Sequence, residues 1–372
     1  MGNIAVENIG KLGFGLMRLP RLPQGDVIDV AQTAEMVDLF LEAGLTYFDT
    51  AFVYGGSEEA TREALVKRHP RENYTIASKL HASSQPNADL ARKELEISLE
   101  RLGTDYLDFY LLHAMDKNNY ETYKKYGLWD FVKQEKAKGR IRHYGFSFHD
   151  QPEVLDRILS EHPDAEFVQL QINYADWENP NVRSREIYEV ARKYEKPIVV
   201  MEPVKGGALA TPPAEIADLF KSIRPEASCA SWAIRFVASL DGIMTVLSGM
   251  SSLDQMKDNL SYMKDFKPLD QKEMQAIHQA MAAYNNIRNI PCTACHYCTD
   301  GCPMNIPIPE IFSAMNTRLA DGAIARSKQM YEAAVAGRGC AGDCVGCGQC
   351  QQMCPQHLEI INLLKECSEA FG

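Results

Sequence analysis

The chain has 372 residues, 45% of them apolar, a formal net charge of −11 and no basic tract. That supports one large core plus a smaller unit, and argues against nucleic acid or an acidic membrane surface as a partner. The opening "MGNIAVENIG" lacks a basic start, and no apolar run approaches the ~20 residues of a membrane helix, so no membrane association and a cytoplasmic location are expected.

From residue 10 to 265 two patterns alternate. Short apolar, β-branched or aromatic runs recur in the order "FGLMRL", "TYFDT", "YTIASK", "YLDFYLLHA", "IRHYGFSF", "FVQLQINY", "PIVVMEPV" and "GIMTVLSGM". Between them lie stretches of helical period, with Val37, Phe40 and Leu41 on one face before Gly44, and Leu95, Leu99 and Leu102 on another before Gly103. Eight strands interleaved with helices predict a (β/α)8 TIM barrel over residues 1–265. A doubly wound sheet would open with a Gly-x-Gly-x-x-Gly turn, and "MRLPRLPQGD" cannot serve as one. Residues 266–290 read as a helix and linker. Residues 291–372 read as a small α-helical ferredoxin-like domain, because the stretch between its two cysteine groups has a helical pattern.

Catalytic groups of a barrel stand at the C-terminal ends of strands and in the loops that follow. Asp49 ends the second strand, Tyr54 follows in its loop, Lys79 ends the third and His113 the fourth. Singly, these read as a helix cap, a loop anchor, a solvated end and a satisfied core imidazole. Together they form an acid–base set. A phenol is a weak acid, with a pKa near ~10, and an ammonium beside it lowers that value. Lys79 supplies the charge, Asp49 holds Lys79, His113 orients a substrate oxygen, and Tyr54 gives or takes the proton. Arg18, at the end of the first strand, either clamps a substrate carboxylate or pairs internally with Glu202.

The motifs "YFDTAFVYGGSEE", "ASK", "LLHA", "GFSFH", "VQLQINY" and "SGMSSLDQMKDN", in this order over residues 10–265, resemble the aldo-keto reductases. The resemblance implies a (β/α)8 barrel, reversible NAD(P)H-dependent reduction of aldehydes and ketones, and a catalytic tetrad at Asp49, Tyr54, Lys79 and His113. It also implies that Ser147 and Gln169 hold the nicotinamide amide. Met201 takes the place of the usual stacking aromatic. Ser248, Gly249, Met250, Gln255 and Asn259 receive the phosphates and adenosine. Phe148 stands where the family usually has Asn. Gly249 and Gln255 replace the basic residues common in NADP users, so NADH and NADPH both stay open. Phe52, Trp129, Phe148, His149 and Trp177 suggest an aromatic rim, and sugars, 2-oxo acids and aromatic aldehydes all fit as substrates.

Of eleven cysteines, all but Cys229 lie after residue 290. This is a poor distribution for a disulfide framework, and it reads as ligands. Cys292, Cys295, Cys298 and Cys302 follow C-x2-C-x2-C-x3-C and precede Pro303. Cys344, Cys347, Cys350 and Cys354 repeat the spacing before Pro355. That run holds [4Fe–4S] cubanes in two-cluster ferredoxins, where the fourth cysteine of each run ligates the other cluster. The expected sets are Cys292, Cys295, Cys298 and Cys354 for one, and Cys302, Cys344, Cys347 and Cys350 for the other. Zinc is the alternative, but it favours paired C-x2-C spacings. Cys229, Cys340 and Cys367 are left as non-ligands. The whole chain resembles a subgroup of aldo-keto reductases with a ferredoxin-type tail.

Nicotinamide moves two electrons as hydride and a cubane moves one. Two functions follow. One is a carbonyl reductase or alcohol dehydrogenase acting on a small molecule, with clusters for stability or electron transfer. The other is an electron-transfer component that couples the clusters to a flavin or to a redox partner protein.

Overall fold

In the computed structural model, which describes residues 9–23, 27–321 and 323–372, eight parallel strands close a barrel in sequence order. They are β1 (Leu12–Gly15), β2 (Tyr47–Asp49), β3 (Thr75–Leu80), β4 (Leu107–Met115), β5 (Ile141–Phe148), β6 (Phe167–Gln171), β7 (Ile198–Met201) and β8 (Ile243–Ser248). The barrel read from the alternating pattern is therefore present. The first strand differs in register. It begins at Leu12, and the segment expected to extend to Leu19 turns into a 3-10 helix over Leu16–Arg18. Gly15 pairs with Asp49, where β2 ends, so the chain has no ladder partner beyond that point.

Some helices start where a side chain satisfies their free N–H groups. Asp29 accepts the N–H of Gln32, and Asn87 that of Leu90. The helix Ala88–Leu102 buries Leu95, Leu99 and Leu102 and ends at Gly103, whose φ of 69° suits the left-handed stop. Asp270 and Glu273 form a capping box at the start of the helix Gln271–Asn285. Two further helices, Ile308–Asp321 and Ile324–Val335, fill the space between the cysteine groups.

Strand geometry places the site. Side chains alternate, so residues two apart point the same way. Tyr47, Ala77, Phe109, Leu111, Phe167 and Val199 fill the bore. One layer higher, the same parity turns Asp49, Lys79, His113, Gln169 and Met201 toward the mouth.

The cysteine-rich tail docks on that mouth. Arg18 donates to the Thr293 carbonyl at 2.6 Å. Gln171 and Gln356 exchange amide hydrogen bonds of 2.8 and 3.0 Å, both side chains buried. Gly206 faces Thr293 so closely that a Cβ there would lie 2.3 Å from the Thr293 carbonyl oxygen. The linker is pinned by Asn316, which both donates to and accepts from the backbone of Ile290.

Candidate active site at the barrel mouth

A cavity of about 500 Å³ opens at the C-terminal end of the strands. Asp49, Tyr54 and His113 line it, with Lys79 buried behind them. The Lys79 ammonium lies 2.5 Å from Asp49 Oδ1 and 2.6 Å from the Thr50 carbonyl, and 5.0 Å over the centroid of the Tyr54 ring. The Tyr54 and His113 rings meet edge to face at 5.8 Å. All four tetrad side chains are therefore neighbours.

The electrostatics differ from the sequence expectation in one respect. Lys79 was expected to make Tyr54 more acidic. Instead burial pushes the Tyr54 phenol well above its usual value, and the neighbouring Tyr297, Asp49 and Glu202 reinforce the rise. The reason is geometric. Lys79 spends its hydrogen bonds on Asp49 and Thr50 and faces the phenol ring, while the Asp49 carboxylate offsets its charge. Burial also raises Asp49 and lowers Lys79, each opposed by the other's charge. His113 falls well below the usual imidazole range, through burial first and then the Lys79 charge. Its Nδ1 is unpartnered among the described residues.

Of the dinucleotide positions, Gln169, Met201, Ser248, Gly249, Gln255 and Asn259 line the cavity, and so does Met250. Gln169 Oε1 is buried with no partner among the described residues, an acceptor or amide position left open toward a ligand. The helix Leu253–Met263 starts at the rim with Ser252 as cap, an N-terminus suited to phosphate. These features fit a dinucleotide. Ser147 stands apart. Its hydroxyl accepts the Ala114 N–H at 2.7 Å, and it is not among the lining residues.

The aromatic rim is not built as expected. Of the five residues, His149 lines the cavity. Trp129 stacks on His162 at 3.7 Å, Trp177 packs on Tyr188 and Phe236, Arg101 covers Phe52, and Phe148 is buried. The wall comes from the tail instead, through Thr293, Cys295, Tyr297, Pro355 and Gln356. Sequence reasoning missed these residues. The available signal was a tyrosine between two ligand-spaced cysteines in "CHYC". Arg18 is 3.5 Å from Glu202, the internal pair that was one of its two readings.

Cys292, Cys295, Cys298 and Cys354 surround one cavity of about 20 Å³, and Cys302, Cys344, Cys347 and Cys350 surround another of the same size. Among the described residues, no three Cys, His, Asp or Glu side chains converge on a point that would hold a single ion. Burial pushes Cys292 up to about 12 and Cys295 up to about 11.

Residues 11–282 match the aldo/keto reductase family and residues 291–359 a 4Fe-4S dicluster domain. The chain belongs to the aldo/keto reductase family and carries a C-terminal 4Fe-4S domain. It is 28% identical to an aldo-keto reductase of Strobilurus tenacellus over 54% of this chain and 60% of that protein. It is 22% identical to an uncharacterized oxidoreductase of Bacillus subtilis over 73% and 92%. Among solved structures, the holo form of an aldo-keto reductase from Bacillus halodurans is 25% identical with a TM-score of 0.58, over 73% of this chain and 92% of that one. An aldo-keto reductase from Klebsiella pneumoniae in complex with NADPH is 21% identical with a TM-score of 0.59, over 73% and 91%. Among the described residues no helix is long and apolar enough to cross a membrane.

Proposed function

We propose that this chain interconverts a small aldehyde or ketone and its alcohol at the barrel mouth, with Tyr54 as the proton donor and two [4Fe–4S] clusters in the tail. The observation that carries the reading is the tetrad, buried Lys79 on Asp49 beneath the half-buried Tyr54 and the buried His113, opening into a cavity large enough for a ligand. When bound, NAD(P)H supplies hydride and the clusters supply single electrons.

The residues perform the rest. Tyr54 stays protonated at neutral pH and gives its proton to the carbonyl oxygen. Neutral His113 donates one N–H to the same oxygen. Lys79 and Asp49 keep a charge pair beneath the phenol that steadies it once the proton has left. Gln169, Met201 and Asn259 line the dinucleotide side. Asp254 and Asp258 also line the cavity beside Gln255 and Asn259, and carboxylates there weigh against a clamp for a 2′-phosphate.

The test is Tyr54→Phe. Carbonyl reduction falls by about 10²–10⁴-fold while the visible absorbance of the clusters is retained. In the wild type, reduction is flat from about pH 6 to about pH 9, because the raised phenol stays protonated, and alcohol oxidation climbs with pH, because it needs phenolate. Reduction that survives Tyr54→Phe sinks the reading.

A second reading rests on one observation. Cys295, a ligand of the first cluster set, lines the same cavity as Tyr54. In that reading the tail exchanges electrons with a flavin or other redox molecule seated in the mouth, or with a partner protein. Cluster signals that change on adding NAD(P)H alone, together with flavin in the purified protein, favour it over the first.

A further inference from the structure

Two cavities meet at the joint between barrel and tail. Thr293, Cys295 and Gln356 line the mouth cavity and also the small cavity enclosed by Cys292, Cys295, Cys298 and Cys354. The second cysteine set is placed otherwise. Among the described residues, none that lines its cavity also lines the mouth, and Val345 and Cys347 beside it are exposed.

Two ties fasten the first set to the barrel. Gln356, two residues after Cys354, exchanges amide hydrogen bonds with Gln171, which ends β6 two residues beyond Gln169. Gln171 also donates to Asp176 at 2.9 Å, and Asp176 pairs with the buried Lys205. The other tie is Arg18, which donates to the carbonyl of Thr293, next to Cys292. Its Cδ lies against Gly249, 3.6 Å from where a Cβ would stand, so one side chain spans the phosphate side of the mouth and the cysteine loop. The loops themselves are strained. Ala294, His296 and His357 hold left-handed backbone at φ 50°, 64° and 52°, and none is glycine. Such conformations persist where the surroundings hold them.

We infer that the mouth and the first cysteine set are coupled binding sites, joined through the Gln171–Gln356 pair, and that the second set stands outside the coupling. The inference rests on the dinucleotide and cluster readings given above. With the first set ligated, its loops are fixed and present Thr293 and Gln356 to the cavity. With that set empty, the strained residues relax and one wall of the mouth opens, because ligation is what orders such a segment. Coupling between two sites is reciprocal, so a dinucleotide in the mouth also retains the first cluster. The chain thereby reads its own iron loading as dinucleotide affinity, whether or not electrons pass between the sites.

The experiment uses anaerobically purified full-length protein. NADH and NADPH are each titrated by calorimetry, and the tighter binder is carried forward. Stripping the iron with a chelator should weaken its binding by about tenfold, with circular dichroism establishing that the barrel persists. In the loaded protein, iron release to bathophenanthroline should be biphasic, and saturating dinucleotide should slow one half of it by about tenfold and leave the other half unmoved. Gln171→Leu combined with Gln356→Leu removes both amides, so neither is left facing an apolar partner. That variant should load its clusters, by iron content and EPR, and lose the protection to within about twofold at a dinucleotide concentration saturating for it. Equal affinity in loaded and stripped wild type, or protection of both halves alike or of neither, overturns the coupling. Protection that survives in the double variant overturns the route through the glutamines. The two wild-type measurements decide the coupling even where the variant fails to load. A wild type that binds neither dinucleotide, or that holds no iron, overturns instead the readings on which the coupling stands.

Discussion

The barrel and the tail bury their interiors by different means. The barrel's core is a continuous aliphatic and aromatic layer between sheet and helices, with a second set of side chains packed inside the bore. The tail's buried set is small, running from Ile290 to Cys367, and it includes Cys298, Cys350 and Cys367 among its members. A chain segment of that size buries too little apolar surface to order itself without staples. Eight cysteines surround two small cavities there. The expectation is that hydrophobic burial specifies the barrel by itself, while the tail draws folding free energy from ligation.

The sharpest way to break this contrast is to remove the ligands. The double variant Cys298→Ser, Cys350→Ser takes one buried thiol from each set. It should lose its iron and sulfide, and residues 291–372 should become sensitive to limited proteolysis. The barrel should keep its circular dichroism and a cooperative thermal transition. A tail that stays protected without metal would show that its apolar core suffices, and the contrast would fall.

A smaller effect sits inside the barrel, where the rule of apolar burial is broken on purpose. Lys79 is fully buried and Asp49 nearly so. Lys79→Met leaves a carboxylate in the core without its partner, and should cost about 3–5 kcal/mol in urea unfolding followed by circular dichroism. Lys79→Met combined with Asp49→Leu should recover much of that loss, because the buried charge leaves with its partner. An unchanged midpoint in the single variant would mean that water reaches the pair.

Much of this was legible in the chain, and for identifiable reasons. Strand alternation is a local signal, so the eight strands and the inward parity of Asp49, Lys79 and His113 could be read from spacing. The C-x2-C-x2-C-x3-C spacing is also a local signal, and each of the two groups it implies lines its own small cavity. Two things could not. The acidity of Tyr54 depends on what surrounds the phenol, and Lys79 turns its hydrogen bonds toward Asp49 and Thr50. The pocket wall is a contact between residues far apart in sequence, such as Gln171 with Gln356. Trp129 and Trp177 suggest a rim in the sequence, yet Trp129 stacks on His162 and Trp177 packs on Phe236.

The smallest expected effect tests the joint between the two regions. Gly206 and Gly207 both adopt positive φ, 64° and 102°. An alanine at either position therefore carries backbone strain of about 1–2 kcal/mol. They differ in what the added methyl group meets. At Gly207 nothing lies within 4 Å, whereas at Gly206 the Thr293 carbonyl is 2.3 Å away. Backbone cannot swing aside as a flexible side chain does, so Gly206→Ala must displace the loop that carries Thr293, Cys295 and Tyr297. Both variants should lower the melting temperature by a few degrees. Only Gly206→Ala should also raise hydrogen exchange at Thr293 and speed cleavage in the linker after Asn285. Equal behaviour of the two glycines would mean that the tail rides free of the mouth, and the barrel would then have to close its pocket with its own loops.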